Sequence, residues 1–249
     1  MSYPQFSRTH RLIGEKKFKT LQDSHIIIVG LGAVGSYALE ALARSGIETF
    51  TLVDFDTVGI TNINRQLFAL NSTIGELKVD VAKKRILDIN SKCNVRVFPL
   101  FAQEETFDEI CSERSDFLID AIDSLNPKVA LLEYAYTHNI RCISSMGAAL
   151  KKEATNIQIA DLMDTHTCSL AKTVRNRLKR RGVGRGIDAV FSSEKVEYEY
   201  KEANEEIEPS LNEQLLEKGR ERRVLGSLST VTGLFGLTLA HHVIKTLSN

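Results

Sequence analysis

Apolar and polar positions form a repeating block pattern over the first two-thirds of the chain. Short apolar runs, of which HIIIV at His25–Val29 is the clearest, alternate with segments that carry small and apolar residues at helical spacing. Such an apolar run is typical of a strand that is buried on both faces. Strands that alternate with helices and are joined by right-handed crossovers predict a doubly wound, mostly parallel α/β sheet.

The pattern predicts six strands and four helices before the C-terminal segment. The strands are expected at His25–Val29, Thr49–Val53 and residues 95–98, 117–122, 140–144 and 188–191. The helices are expected at residues 33–44, 76–89, 127–138 and 170–181. Gly46 is the expected C-cap of the first helix, because glycine adopts the left-handed conformation that ends many helices. Asn126 is the expected N-cap of the third, with Pro127 in its first turn.

The segment after residue 150 differs in character from the rest. Residues 194–208 carry seven acids and two lysines, which predicts a loop or lid. Residues 224–239 contain no charged side chain and approach the lower length limit of a membrane span, about 17 residues. Their serines and threonines, followed by His241, His242 and Lys245, favour a buried C-terminal helix instead. We therefore expect a Rossmann-like domain at residues 6–150 and a C-terminal α+β extension at residues 151–249.

Composition narrows the class of protein. The 249 residues include 32 Lys and Arg and 32 Asp and Glu, and 43% of the chain is hydrophobic, which argues against global disorder. The N-terminal residues are polar, without the apolar core of a secretion signal, so we expect a cytoplasmic protein. A net charge of zero argues against a polyanionic partner only if the charges are evenly distributed.

The four cysteines indicate a reducing compartment rather than a disulfide framework. Cys93, Cys111, Cys142 and Cys168 are scattered, and no C-x-x-C pair is present. Without such pairs a structural zinc site is disfavoured, and free thiols are the better interpretation. Cys168 lies in a polar stretch and is the one candidate for an exposed nucleophile, although an incidental surface thiol is the favoured interpretation.

A glycine-rich loop predicts a nucleotide site. Gly30, Gly32 and Gly35 form a G-x-G-x-x-G pattern that follows a predicted strand and begins a predicted helix. Glycines allow the tight turn and the close backbone approach by which helix N–H groups meet a phosphate. Asp54 ends the next predicted strand, where an acid that binds ribose belongs. This fingerprint does not specify the nucleotide, and NAD is its commonest ligand.

Polar residues beyond the second strand favour ATP over a dinucleotide. Arg65, in the segment TNINRQ, and Lys78, at a predicted helix start, are two cations that can neutralise a triphosphate and stabilise charge at its α-phosphorus. A dehydrogenase needs no such cluster beside its nicotinamide pocket. Asp123 and Ser124 follow the fourth strand at the carboxyl edge of the sheet, where Asp123 can hold Mg²⁺ with the phosphates.

In this order and at this spacing, the motifs GLGAVG, LVDFD with TNINRQ, GELKV and IDAIDS resemble the ATP-adenylating domain of the MoeB/ThiF superfamily, relatives of ubiquitin-activating enzymes. The resemblance extends over residues 6–148 and implies the fold of those adenylating enzymes. Motifs and resemblance together predict these nucleotide-binding residues: Gly30, Gly32, Gly35, Asp54, Asn62, Arg65, Gln66, Lys78, Asp123 and Ser124.

The resemblance also implies which residues are catalytic. Arg65, Lys78, Asp123 and Arg11 are expected in that role, with Asp123 as the metal ligand. Arg11 matches an arginine that reaches the γ-phosphate of the ATP bound to the partner subunit, which implies a homodimer with shared sites. The resemblance further allows for a structural monovalent cation and for sulfur-transfer protein partners.

Members of this superfamily differ in the carboxylate that they activate. MoeB and ThiF proper adenylate a small sulfur-carrier protein and usually carry zinc in paired C-x-x-C motifs, which this chain lacks. Ubiquitin-type activators need a catalytic cysteine after the adenylation core, for which Cys168 is the candidate. Activation of a sulfur-carrier or ubiquitin-like protein therefore stays open as the alternative function.

The region after the core resembles a different branch, the tRNA threonylcarbamoyladenosine dehydratases. The segments that carry this resemblance are RCISSMGA at residues 141–148, IQIAD at residues 157–161 and LAKTVR at residues 170–175. The branch activates the threonine carboxylate of N6-threonylcarbamoyladenosine in tRNA with ATP. An internal nitrogen then closes a ring and expels AMP. The resemblance therefore implies a ligase-type enzyme that forms cyclic threonylcarbamoyladenosine and releases AMP and pyrophosphate.

A basic stretch favours tRNA as a partner independently of the resemblance. Seven cations and no acid lie between residues 172 and 185. Without acids at helical spacing to pair with, such a cluster is suited to a phosphate backbone rather than to a solvated helix face. The residues predicted to bind tRNA are Lys172, Arg175, Arg177, Lys179, Arg180 and Arg181. The zero net charge is thus a cancellation between this stretch and the acidic residues 194–208.

Overall fold

The computed structural model describes residues 4–196 and 225–249. Seven strands in these ranges form one sheet in the order β3-β2-β1-β4-β5-β7-β6. Every neighbouring pair is parallel except β7 and β6. The strands are β1 His25–Val29, β2 Thr49–Val53, β3 Asn94–Phe98, β4 Phe117–Asp120, β5 Cys142–Ser145, β6 Ile157–Asp161 and β7 Asp188–Ser192.

Helices cover both faces of this sheet. They are α1 Ser7–Ile13, α2 Glu15–Asp23, α3 Gly35–Arg44, α4 Lys78–Ile89, α5 Glu104–Ile110, α6 Leu125–Thr137, α7 Ser169–Arg180 and α8 Ser229–Leu247. One apolar core lies between the sheet and the face that carries α3, α4 and α8, and a second core lies under α5, α6 and α7. All five residues of β1 are buried, because the strand lies in the middle of the sheet with helices on both sides. The predicted doubly wound, mostly parallel α/β sheet is confirmed.

The two predicted segments of the chain share this sheet. β7, from the C-terminal extension, pairs in parallel with β5 of the Rossmann-like segment, and β6 adds the antiparallel edge strand. The sequence pattern did not predict β6 or the helices α1, α2 and α5. These elements lie at the edge or on the surface, where weak amphipathic patterns suffice because only one side is buried.

All four predicted helix starts differ from the observed ones, by one or two residues. The helix expected from residue 76 begins at Lys78, because the preceding residues pair with a neighbouring segment through the bridge between Thr57 and Leu77. The prediction that Asn126 caps α6 is wrong, since the N-cap is Ser124. Pro127 is therefore the third residue of the helix instead of the first, and it still lies in the first turn, which lacks intrahelical N–H partners and tolerates proline.

The C-terminal apolar segment forms a core helix, as predicted. Val231, Phe235, Leu239 and Val243 recur at spacings of four and are buried. The helix packs so tightly on α3 that a Cβ on Gly236 would lie 2.3 Å from the Val34 carbonyl oxygen. Over residues 4–196 and 225–249, no helix is both long and apolar enough to span a membrane. Most of the predicted acidic lid, residues 197–208, and residue 224 lie outside the described residues.

Candidate active site at the carboxyl edge of the sheet

The glycine loop lies where the strand order reverses, between β1 and β4. Gly30 has a φ of +94°, and a Cβ there would lie 2.7 Å from the Ala121 carbonyl oxygen in the loop after β4. A Cβ on Gly35 would lie 1.9 Å from the Gly30 carbonyl oxygen. Only glycine fits these two positions, because the loop closes on itself and on the neighbouring strand end. A Cβ on Gly32 would meet only the amide nitrogen of Gln66, at 3.8 Å, so this part of the loop is open to a ligand.

Asp54 follows β2 and lies against the glycine loop. One carboxylate oxygen accepts the Leu31 backbone N–H at 2.7 Å, and the other accepts that of Asp56 at 2.9 Å. Burial raises the pKa of the Asp54 carboxyl, against the opposing effect of the nearby Lys78 ammonium. The structure thus places Asp54 at the loop where the sequence predicts a ribose-binding acid, and it also gives the carboxylate a role in fixing that loop.

The predicted phosphate residues after β2 lie on a short turn. Asn62 is buried, and its side-chain oxygen accepts the Gly59 backbone N–H at 3.1 Å. Gln66 is buried beside Gly32, whereas Arg65 is half-buried. The Arg65 guanidinium donates to the Thr61 carbonyl oxygen at 2.8 Å through one nitrogen, which leaves its other N–H groups available for a phosphate. The turn therefore brings Asn62, Arg65 and Gln66 together.

Lys78 is held by an acid to which the sequence pattern gave no role. Its ammonium donates to the Asp56 carboxylate at 2.7 Å, and the lysine side chain is 7% exposed. The backbone brings the two together, because the Lys78 N–H donates to the Asp56 carbonyl oxygen at 3.0 Å. An incoming phosphate would compete with Asp56 for this cation. The acid was visible in the motif LVDFD, but the pairing depends on a contact between residues 22 positions apart.

Asp123 and Ser124 lie in the loop between β4 and α6, next to the glycine loop. Asp123 is exposed, and its carboxylate accepts the Ser124 hydroxyl at 3.2 Å. Within the two described ranges, no group of three or more His, Cys, Asp or Glu side chains is arranged to hold a metal ion. A single exposed carboxylate nevertheless fits Mg²⁺, because that ion usually takes most of its ligands from phosphate oxygens and water.

Behind this loop lies an ion pair that sequence reasoning missed. Asp120 and Lys128 are both 0% exposed, and the ammonium lies 2.6 Å from the carboxylate. A lysine within the apolar face of a predicted helix, next to Val129, Leu131 and Leu132, was the available signal. Its partner could not be found from the helix alone, because Asp120 belongs to the preceding strand.

Arg11 lies on α1, away from these strand ends in sequence, and is exposed. Its neighbour Leu12 is 85% exposed, and further exposed apolar side chains occur at Ile60, Ile63, Leu70 and Ile74. The last four flank the turn that carries Arg65. Exposed apolar groups of this size around a polar site are typical of a protein–protein interface.

The basic stretch forms α7 and the residues that follow it, and four of its seven cations have protein partners in the described part of the chain. Arg175 donates to Thr165 at 2.7 Å, and Arg185 pairs with Asp164, also at 2.7 Å. Arg177 donates to Asn126, and Arg181 to Glu133, both on α6. The side chains that pair with these arginines belong to other elements of the fold, so they do not appear within the basic stretch of the sequence.

Three cations of α7 remain directed to solvent. Lys172, Lys179 and Arg180 are exposed and have no hydrogen bond or ion pair within residues 4–196 and 225–249. Together with the exposed Thr173 and Asn176, they form one polar ridge along the helix. Arg175, which was also predicted to bind tRNA, lies outside this ridge, because it is half-buried and its guanidinium donates to the Thr165 hydroxyl.

The expectation of an exposed thiol at Cys168 is wrong. Cys168 is 6% exposed and forms the N-cap of α7, where its sulfur accepts the Ala171 backbone N–H at 3.5 Å. The thiol packs towards the start of α7 and the loop after β5, because a Cβ on Gly147 would lie 4.0 Å from the sulfur. The polar sequence around Cys168 belongs to a helix start that is covered by the rest of the chain.

The fold and this arrangement define a nucleotide-binding α/β protein whose predicted phosphate-binding residues lie at the switch point of the sheet. The ThiF family model matches residues 6–249, and the chain belongs to the ThiF family. It is 46% identical, over 76% of its length and 75% of the relative's, to the tRNA threonylcarbamoyladenosine dehydratase of Bacillus subtilis. The Escherichia coli enzyme of the same name is 36% identical, over 97% of this chain and 92% of that protein.

Solved structures agree with these relatives. The crystal structure of the E. coli tRNA N6-threonylcarbamoyladenosine dehydratase, TcdA, in complex with ATP superimposes with a TM-score of 0.85 at 36% identity, and it covers 98% of this chain and 94% of that one. The complex of the same enzyme with AMP gives a TM-score of 0.86. Molybdopterin-synthase adenylyltransferases match as well, but over little more than half of this chain.

Proposed function

We propose that this protein is an ATP-dependent tRNA threonylcarbamoyladenosine dehydratase. It adenylates the threonine carboxylate of N6-threonylcarbamoyladenosine in tRNA and cyclises the product to cyclic threonylcarbamoyladenosine. The observation that carries this proposal is the meeting of the glycine loop, Asp54, Arg65 and Lys78 at one edge of the sheet, in a chain that is similar over almost its full length to enzymes of that name.

Different groups of the proposed nucleotide-binding residues contact different parts of ATP. The glycine loop, with Gly30, Gly32 and Gly35, brings backbone N–H groups of α3 to the phosphates. Asp54 binds the ribose. The polar residues of the turn and the start of α4 contact the phosphates, and Ser124 supports the loop opposite. Besides the glycine loop and Asp54, the residues proposed to bind the nucleotide are Asn62, Arg65, Gln66, Lys78, Asp123 and Ser124.

Two cations carry the chemistry of the first step. A carboxylate oxygen of the substrate attacks the α-phosphorus of ATP, and the bond to the pyrophosphate leaving group breaks. Arg65 and Lys78 stabilise the negative charge that develops on the phosphate oxygens. Asp123 would hold Mg²⁺, which supplies further charge neutralisation when bound. The structural monovalent cation implied by the family resemblance stays a prediction.

Cyclisation completes the reaction without an enzyme nucleophile. The internal nitrogen of the threonylcarbamoyl group attacks the activated carbonyl carbon, loses its proton, and expels AMP. The attacking atom is tethered in the substrate and benefits from proximity, so the reaction needs no cysteine. This mechanism fits the burial of Cys168 under the start of α7.

The exposed ridge of α7 is the proposed contact for the tRNA backbone. Lys172, Lys179 and Arg180, which have no ion pair within residues 4–196 and 225–249, supply positive charge to phosphates, as expected of contacts that position an RNA without reading its sequence. Arg175, Arg177 and Arg181, which the sequence also predicted to bind tRNA, hold the helix through Thr165, Asn126 and Glu133. The tRNA-binding surface is thus smaller than the run of cations in the sequence.

The active form is a homodimer in which Arg11 of each subunit completes the partner's site. The exposure of Arg11 beside Leu12, and the exposed apolar residues around the Arg65 turn, support this arrangement. We assign the protein to the cytoplasm, because free thiols at all four cysteines fit a reducing compartment. Sulfur-transfer protein partners stay a prediction.

Mass spectrometry of tRNA nucleosides tests this function directly. We expect that tRNA incubated with the protein and ATP will lose one water from its threonylcarbamoyladenosine, with release of AMP and pyrophosphate. A parallel reaction replaces tRNA by a small carrier protein that ends in Gly-Gly. Pyrophosphate exchange that depends on the carrier protein and not on tRNA would overturn the proposal in favour of a MoeB/ThiF-type adenylyltransferase.

A further inference from the structure

A charged cluster lies fully buried beneath the loop between β4 and α6. The Lys128 ammonium donates to the Asp120 carboxylate at 2.6 Å, to the Ser144 hydroxyl at 3.2 Å and to the Ser145 carbonyl oxygen at 3.0 Å. Asp120, Lys128 and Ser144 are each 0% exposed. Three elements meet here, because Asp120 ends β4, Lys128 lies in the first turns of α6, and Ser144 and Ser145 end β5.

Every hydrogen-bonding group of the two charges is used. The three protons of Lys128 have three acceptors. One oxygen of Asp120 accepts both Lys128 and the Ser144 hydroxyl, the latter at 2.6 Å, and the other accepts the Ile122 backbone N–H at 3.0 Å. A buried ion pair seldom adds stability beyond that of apolar residues of similar size, because both charges must be desolvated. What the network provides is one fixed arrangement of the three elements.

That arrangement determines the position of the nucleotide site. The loop held by Asp120 contains Ala121, whose carbonyl oxygen closes against Gly30 and whose Cβ lies 3.3 Å from a Cβ placed on Gly35. The same loop carries Asp123 and ends at Ser124, whose carbonyl oxygen accepts the Lys128 backbone N–H at 3.2 Å. The buried pair therefore holds the loop that forms one wall of the glycine loop and that carries Asp123.

We propose that Asp120 and Lys128 are positioning residues for the nucleotide site, which hold the loop of residues 121–124 in the arrangement that binds ATP. Neither residue touches the substrate, because both are enclosed by β4, β5 and α6. The proposal rests on the proposed function insofar as it takes ATP as the ligand. It extends the site to a buried layer of the protein that makes none of the proposed nucleotide contacts.

The test compares folding with nucleotide affinity. The double variant Asp120→Leu/Lys128→Met replaces the pair by apolar side chains of similar size, and Ser144→Ala removes only the hydroxyl that bonds Asp120. ATP affinity is measured by calorimetry with and without Mg²⁺, next to the thermal midpoint, kcat and KM. As the control, Thr51→Val removes a buried hydroxyl that bonds His25 at 2.9 Å on β1, in the interior of the same sheet.

We expect the double variant to unfold cooperatively and to bind ATP at least tenfold more weakly than the wild type, with a smaller gain in affinity from Mg²⁺. Ser144→Ala should lose about threefold in affinity, whereas Thr51→Val should lower the thermal midpoint and leave ATP affinity unchanged. If the double variant does not fold, the ATP affinity and turnover of Ser144→Ala test the proposal. Wild-type affinity and turnover in a folded Ser144→Ala or double variant would overturn the positioning role. Absence of ATP binding by the wild-type protein would overturn the proposed function as well.

Discussion

The ammonium of Lys78 lies 2.7 Å from the carboxylate of Asp56, at the edge of the sheet where the glycine loop begins the nucleotide site. The lysine is the more enclosed partner, with 7% of its side chain exposed against 31% for the acid. Such a cation is positioned in advance, because its side chain does not have to be ordered when a phosphate arrives. The pair also weakens phosphate binding, because a phosphate must compete with the Asp56 carboxylate for the Lys78 ammonium.

Replacement of Lys78 by Met should lower the rate of tRNA-dependent pyrophosphate release by a factor of roughly 100 to 1,000, the usual cost of removing a group that stabilises developing charge. Lys84→Met is the matched control, because Lys84 lies on the same helix but pairs with Glu76 at the surface. The control should retain wild-type turnover. Near-normal turnover of folded Lys78→Met would exclude the lysine from the site.

The proposed homodimer, in which each subunit completes the partner's site, predicts complementation between two inactive variants. Arg11→Ala and Lys78→Ala should each be inactive alone, but a mixed dimer contains one site with both native residues. Co-expression of the two chains should therefore restore about a quarter of wild-type turnover, because about half of the dimers are mixed and each has one intact site of two. Light scattering gives the oligomeric state. Mixed dimers without recovered activity would show that Arg11 acts within its own subunit, and an active Arg11→Ala protein would show that it has no part in the reaction.

The division of cations on α7 predicts two kinds of effect on tRNA binding. Lys179→Ala/Arg180→Ala should reduce the slope of the logarithm of the binding constant against the logarithm of salt concentration by about 1.5, since each lost phosphate contact removes about 0.7 to 0.9. Arg185→Ala is the control, because its guanidinium already pairs with Asp164. Equal slopes for the double variant and the wild type would move the tRNA away from this ridge.

Cys168→Ala should retain most of the tRNA-modifying activity, because the thiol is buried and ring closure needs no thioester. The loss of the weak cap at the start of α7 should cost up to about 1 kcal/mol in the free energy of unfolding. Turnover and the thermal midpoint are measured together, with Cys111→Ala as a half-buried control. A folded Cys168→Ala protein without any activity would point to a thioester and to the activation of a carrier protein.

The buried thiol of Cys142 predicts a loss of stability at high pH. Burial in β5 raises its pKa from about 9 to about 12 in the folded protein. Above pH 9 the unfolded chain releases this proton while the folded protein keeps it, so the free energy of unfolding falls as pH rises through that range. Urea titrations should show the wild type losing about 1.4 kcal/mol per pH unit relative to Cys142→Ala between pH 9 and 11. A difference that is constant from pH 8 to 11 would contradict this ionisation.

The order of the elements and the position of the glycine loop could be predicted from the sequence because both depend on local patterns. An apolar run such as His25–Val29 can only be buried on both faces, and the glycines that follow it permit a turn that no other residue can make. Asp54, Asn62, Arg65 and Lys78 could be recognised because they occur at family spacing on consecutive elements. The start of α6 could not be predicted exactly, because several neighbouring polar residues can serve as the N-cap, and the structure has Ser124 in that position instead of Asn126.

The tertiary structure decided which of these residues are paired and which remain available. Arg177 and Arg181 are about fifty residues from the α6 side chains that neutralise them, and Asp120 meets Lys128 across a turn of the fold. Cys168, in a polar stretch, is covered by packing around the start of α7. The sequence by itself determined the class of fold and the types of residue at the site, since these follow from spacing along the chain. Which side chains are buried and which are paired could be determined only from the tertiary structure, because both depend on which distant segments come within a few ångströms of each other.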